Sequence, residues 1–171
     1  MIGRSLVISI TAAGLLVFAV LSSWAEAEEN LAELAKALPE ANVSLDQGLR
    51  ASEREGKAIS AKYEIENGAL QLSVYTMKDN QFREVIVNHK SGAIKKAEPL
   101  TDAGDMKDAQ EQSAAMAKAK LPPEAVVGSA VKANSGYRAV SVIPTLDGAQ
   151  PVVGITLMKG EDVKKVTQKL D

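Results

Sequence analysis

From residue 59 to 66, apolar and polar side chains alternate: Ile59, Ala61, Tyr63 and Ile65 against Ser60, Lys62, Glu64 and Glu66. A period of two marks a strand with one buried face. Asn67-Gly68 follows, the pair favoured where a two-residue hairpin turn needs positive φ at both central positions. Leu70, Leu72 and Val74 then alternate with Gln71, Ser73 and Tyr75, which predicts the return strand. Lys78-Asp79-Asn80 predicts a second turn and residues 82–87 a third strand. Ser91-Gly92 closes it, and Ile94 opens a short continuation.

A helical period stands before these strands. Leu31, Leu34 and Leu38 follow i, i+3, i+7 over residues 28–38. Acidic residues lie in the first turn, where the helix dipole favours them, and Pro39 ends the run. Ser44-Leu45-Asp46-Gln47 fits a capping box that opens a second helix. Leu45 and Leu49 share its face, and Gly56 stops it.

Beyond residue 94 the pattern loosens. Residues 95–105 are polar and contain Pro99 and Gly104, which reads as a joint. Residues 107–120 are rich in good helix formers, and Pro122-Pro123 ends that helix. Residues 126–133 read as a strand, Asn134-Ser135-Gly136 as a turn and 137–143 as a strand. Asp147-Gly148 predicts a further turn, and 151–158 a strand closed by Gly160. In the tail, 161–170, Val163, Val166 and Leu170 fit a helix, while a last strand beside the sheet fits as well.

The two halves share one order, at an offset of about 68 residues. Asn67-Gly68 matches Ser135-Gly136, Leu72 and Val74 match Val140 and Val142, Val85 and Val87 match Val153 and Ile155, and Gly92 matches Gly160. Units this small are marginal alone, so they are expected to form one body.

The first unit carries Val43-Ser44-Leu45-Asp46-Gln47-Gly48-Leu49, Gly56-Lys57-Ala58-Ile59 and Tyr63-Glu64-Ile65-Glu66-Asn67-Gly68. It continues through Leu70-Gln71-Leu72-Ser73-Val74-Tyr75, Phe82-Arg83-Glu84-Val85-Ile86-Val87-Asn88 and His89-Lys90-Ser91-Gly92-Ala93-Ile94. This resembles a PepSY domain, a helix followed by strands that ends in valine, an acid and a Thr/Ser-Gly turn. Asn88 stands where the family has Asp. The second unit, 109–170, looks like a degenerate copy with only Lys159-Gly160 at that ending.

The resemblance implies an α+β fold of two PepSY-like repeats, each a helix on an antiparallel sheet, behind an N-terminal signal helix. The expected organisation is a signal peptide at 1–27, a short helix at 28–40, a first unit at 41–98, a linker at 99–106 and a second unit at 107–171. PepSY domains occur in propeptides of thermolysin-type proteases, where they are associated with inhibition and folding assistance. They also occur in many exported or membrane-attached bacterial proteins. The resemblance thus implies a binding role and no enzymatic one.

The first 27 residues bear on compartment. Arg4 gives a positive start, residues 6–21 are uncharged and mostly apolar, and Ala25-Glu26-Ala27 is a small-residue cleavage site. Cleavage after Ala27 predicts an exported chain, periplasmic or secreted. Retention of 6–21 would instead anchor it in the inner membrane, the one circumstance in which a membrane becomes a partner.

Composition narrows the chemistry. The 171 residues include no Cys, which removes disulfides, thiolate nucleophiles and Cys-ligated zinc. Twenty basic and 22 acidic side chains give a net charge of −2, without the basic footprint of a nucleic-acid binder. His89 is the only histidine and stands beside Lys90 with no G-x-S-x-G element, so it reads as an exposed turn residue rather than a triad base. Asp102, Asp105 and Asp108 lack the glycine and distal glutamate of a calcium loop and read as a helix N-terminus. No phosphate-binding glycine motif occurs. No catalytic residue, cofactor or metal is expected.

What remains is binding. A strand at the edge of an antiparallel sheet has unpaired N–H and C=O groups that an extended peptide can use. Phe82, Arg83, Glu84, Val85, Ile86 and Val87 are the candidate edge strand for an extracytoplasmic polypeptide or a peptidase held in check. The alternative is a sensory or accessory domain attached to the envelope.

Overall fold

Seven antiparallel strands form one sheet with the order β4-β3-β2-β1-β5-β6-β7. The computed structural model describes residues 30–171; the expected signal peptide and its expected cleavage site at Ala25 and Ala27 lie outside them. The strands are β1 (Lys57–Glu66), β2 (Ala69–Lys78), β3 (Gln81–Val87), β4 (Ile94–Pro99), β5 (Arg138–Asp147), β6 (Gln150–Lys159) and β7 (Asp162–Lys169). Four helices accompany them: α1 over 30–37, α2 (Leu45–Ser52), α3 (Ala103–Met116) and α4 (Pro123–Ala133). The fold is α+β.

Alternation of side chains sorts the sheet into two faces. Ala97, Val85, Val74 and Ala61 pair across β4, β3, β2 and β1, and Val142, Ile155 and Val166 carry the row on through β5, β6 and β7. The row is apolar from edge to edge. Its face is covered by α2 and α4, which touch each other. α2 lies close because Gly48 sits over Leu72, where a Cβ would come within 2.6 Å of Leu72 Cδ2. The next row, Lys96, Ile86, Ser73, Lys62, Ser141, Thr156 and Lys165, is polar at every position but Ile86. It faces the side of α3, which lies chiefly over β5 and β1. Ser60 Oγ donates to Gln112 Oε1 of α3 at 2.5 Å. Because α3 is a single helix, no other described helix covers the β2-β3-β4 part of this face.

The sheet repeats itself. Lys57, Ala69 and Gln81 open β1, β2 and β3, and Arg138, Gln150 and Asp162, each 81 positions on, open β5, β6 and β7. A register shift falls between Ala58 and Ser60 in β1 and between Ala139 and Ser141 in β5, again 81 apart. A bulge adds an unpaired residue and bends its strand, so matched bulges give both halves the same curvature. Leu45 and Leu49 of α2 correspond to Val126 and Ala130 of α4, and all four are buried.

This corrects the offset of about 68 residues. That alignment set the β1–β2 turn against the turn between α4 and β5, and so matched β2 with β5. Consecutive strands and turns in each half recur at almost the same spacing, so sliding by one strand preserves both alternation and glycines.

Other boundaries differ too. Residues 126–133 form α4, not a strand: Val126, Val127 and Ala130 recur at helical spacing and all are buried. Pro123 stands in the first turn of α4, where its missing N–H costs nothing. The helix expected over 107–120 starts at Ala103, capped by the Asp102 carboxylate, which accepts from Gly104 N–H at 2.8 Å and Asp105 N–H at 3.1 Å. The expected joint therefore holds β4 and the start of α3, and no free linker spans 99–106. The tail is a strand. Gln47 Oε1 accepts from Ser44 N–H at 2.8 Å, the capping interaction expected for α2. Asn67 and Gly68 both adopt positive φ, 50° and 74°, as their hairpin turn requires.

Candidate functional site: the open sheet face and its edges

The candidate edge strand lies inside the sheet. β3 pairs with β2 along one side and with β4 along the other, so its backbone groups are taken and cannot receive a peptide. Pairing β3 with a following strand needed the residues from 94 to 99 to extend, and their lysines and proline disguised that strand as a loop. Val85 and Val87 are core residues, 0% and 1% exposed. Arg83 reaches towards Glu55 at 3.9 Å, and Phe82 lies opposite Met77. Phe82, Glu84 and Ile86 share the other face, and of these Glu84 and Ile86 line its groove.

There they meet the polar side chains that β1 and β2 present on the same face. A groove of about 430 Å³ runs between the open strands and the start of α3. Glu64 is its hub: Lys62 Nζ lies 2.6 Å from Glu64 Oε2, and Ser73 Oγ donates to Glu64 Oε1 at 2.7 Å. Gln71 Nε2 donates in turn to Ser73 Oγ at 3.0 Å. Lys62 Nζ also stands 5.9 Å from the Tyr75 ring centroid, within the range of a cation–π contact. Lys96 and Glu98 pair at 2.7 Å on β4. The only sequence signal for this site was that the polar members of β1 and β2 lie on one face.

The charges shift one another. Burial works against the Lys62 ammonium, but Glu64, through its hydrogen bond, and Tyr75 outweigh it and hold its pKa above the ordinary lysine value. Burial pushes the Tyr75 phenol up to about 12; Lys62 opposes this, while Glu84, Glu64 and Asp105 add to it. Both shifts favour the charged ammonium and the protonated phenol near neutral pH.

His89 is far from such chemistry. It lies in the β3–β4 connection, and its carbonyl accepts from Asn42 N–H at 2.9 Å and Val43 N–H at 3.0 Å. Its Nε2 is buried without a hydrogen-bond partner. Burial pushes its pKa below the ordinary value, Lys90 and Lys95 add to this, and Glu40 opposes it. Among the described residues, no three His, Asp or Glu side chains converge to hold a metal, and no helix is long and apolar enough to cross a membrane.

The site is thus a polar, half-open surface. The sheet it belongs to ends in two strands, β4 and β7, each paired on one side only among the described residues. Comparisons with protein-family models, with curated proteins and with solved structures find no match to the chain.

Proposed function

We propose that the chain is an exported, non-enzymatic binding module built from two PepSY-like units, which captures an extended polypeptide outside the cytoplasm. Where that polypeptide belongs to a peptidase, capture would restrain it. The observation that carries this reading is the pair of sheet margins: among the described residues, β4 and β7 are each paired on one side only. Strand addition uses main-chain hydrogen bonds for affinity and alternate side chains for selectivity. The groove between the open strands and α3 can add polar contacts beside it.

The reading assigns no chemical step to the chain. The test is equilibrium binding of a panel of extended ten-residue peptides of different charge, with the mass of every peptide checked after incubation. Binding with all masses unchanged is expected. Cleavage of any peptide, or no binding across the panel, would overturn the reading.

A further inference from the structure

The two free margins are not equivalent, and hydrogen bonds beyond the ends of β4 and β7 show why. Leu170 N–H donates to Pro151 O at 3.0 Å. The register places Lys169 opposite Val152, so Leu170 and Pro151 form the next directly opposed, hydrogen-bonded pair. In an antiparallel ladder such pairs alternate with pairs whose backbone groups point away. Lys164, Val166 and Gln168 therefore bond to β6, whereas Val163, Lys165, Thr167 and Lys169 direct N–H and C=O outward.

On β4 the same reasoning starts from Leu100 N–H, which donates to Phe82 O at 3.0 Å. With Glu98 opposite Glu84, the outward set includes Ala97 and Pro99. Proline has no N–H, so this margin lacks a donor where a new strand would need one. β4 is also shorter, six residues against eight. β7 has four outward positions, each with a donor and an acceptor, and no proline.

Charge selects the occupant. Lys165 and Lys169 are exposed and share the face of the outward set. Lys164, on the other face, is engaged with Asn134 Oδ1 at 2.5 Å. A strand added here would place residues four apart opposite Lys165 and Lys169, where cross-strand pairing favours Asp or Glu. We propose that the outer margin of β7 takes up an extended acidic polypeptide segment as an eighth strand, with carboxylates four residues apart on Lys165 and Lys169. This rests on the binding-module reading and names its site and partner.

The rival role for these lysines is to repel neighbouring sheets. The test is fluorescence anisotropy of a labelled ten-residue peptide alternating glutamate with threonine and valine, beside a basic peptide of the same pattern. The acidic peptide should bind, and less tightly at high salt, where exposed charges are screened. Thr167→Pro removes one outward N–H without touching the β6 ladder and should weaken binding at least about tenfold, a loss of roughly 1.4 kcal/mol. Lys165→Glu with Lys169→Glu leaves the backbone intact and should transfer preference to the basic peptide. Acidic binding that survives both changes would overturn the β7 site and leave the binding-module reading standing. No binding by either peptide would overturn both, and the lysines would then serve only to keep the edge unpaired.

Discussion

Ala61 and Val142 face each other where β1 meets β5, and they are separated by the 81 positions that relate the two halves of the sheet. Shifting Ala61 forward and Val142 back by that interval returns the same pair. The local twofold relation between the halves passes through this contact. Both side chains are buried, at 1% and 0% exposure, and the apolar row crosses from one half to the other here. The contact between the two halves of the sheet is thus part of the core.

Trimming this joint should cost stability directly. Val142→Ala removes two methyl groups from a site closed by strands on both sides and by helices above. Lost transfer energy and the cavity together should amount to about 2 kcal/mol. Urea denaturation should show one transition at lower midpoint. Separate transitions for the two halves would contradict a shared core.

Gly48 carries a second constraint. An alanine in mid-helix ordinarily gains up to about 1 kcal/mol over glycine. Here the new Cβ would lie 2.6 Å from Leu72 Cδ2, and Leu72 is fully buried. Gly48→Ala should therefore destabilise, by about 1–3 kcal/mol. Adding Leu72→Val should recover part of that loss, and the thermal midpoints of the three variants measure the coupling.

His89 should set part of the acid response. Its folded pKa lies below the ordinary 6.5, from burial first and Lys90 and Lys95 next, with Glu40 opposing. The unfolded chain therefore binds the proton more readily, so this stabilisation is present above pH 6.5 and is lost as pH falls towards the folded value. The His89 carbonyl holds Asn42 and Val43, which places the response at the entry to α2. His89→Gln should flatten urea midpoints between about pH 7 and pH 5.5. An unchanged slope would refute the assignment.

Tyr63 acts at the other end of the scale. Its hydroxyl donates to Val43 O at 2.5 Å, and burial pushes its pKa up to about 12, with Arg138 opposing. Because the folded value is raised, its contribution is complete below about pH 10 and is lost as pH climbs through the folded value. Tyr63→Phe should make alkaline melting less steep. At pH 7 it should cost about 1 kcal/mol, moderated because Arg138 Nη2 also donates to Val43 O, at 3.3 Å.

The sequence disclosed local features and concealed distant ones. Asn67-Gly68 and the alternation through Val74 depend on neighbours a few residues apart, and both appear in the fold as read. Val126, Val127 and Ala130 misled because a short valine-rich run satisfies strand propensity and helix spacing alike; burial against α2 decides for helix. Lys95, Lys96 and Pro99 look like loop residues, yet they form β4, because one paired side is enough to hold an edge strand. Burial of β3 follows from that one strand. The polar network of Lys62, Glu64, Ser73 and Tyr75 needs cross-strand register to be seen, and no spacing along the chain encodes it.

The most direct test of polypeptide capture is amide hydrogen exchange along β7, with and without the acidic peptide. In the free chain the N–H groups of Lys164, Val166 and Gln168 should exchange slowly and those of Val163, Lys165, Thr167 and Lys169 quickly. With peptide bound, the second set should slow to match the first. Outward amides that stay fast at saturating peptide would contradict strand addition at β7.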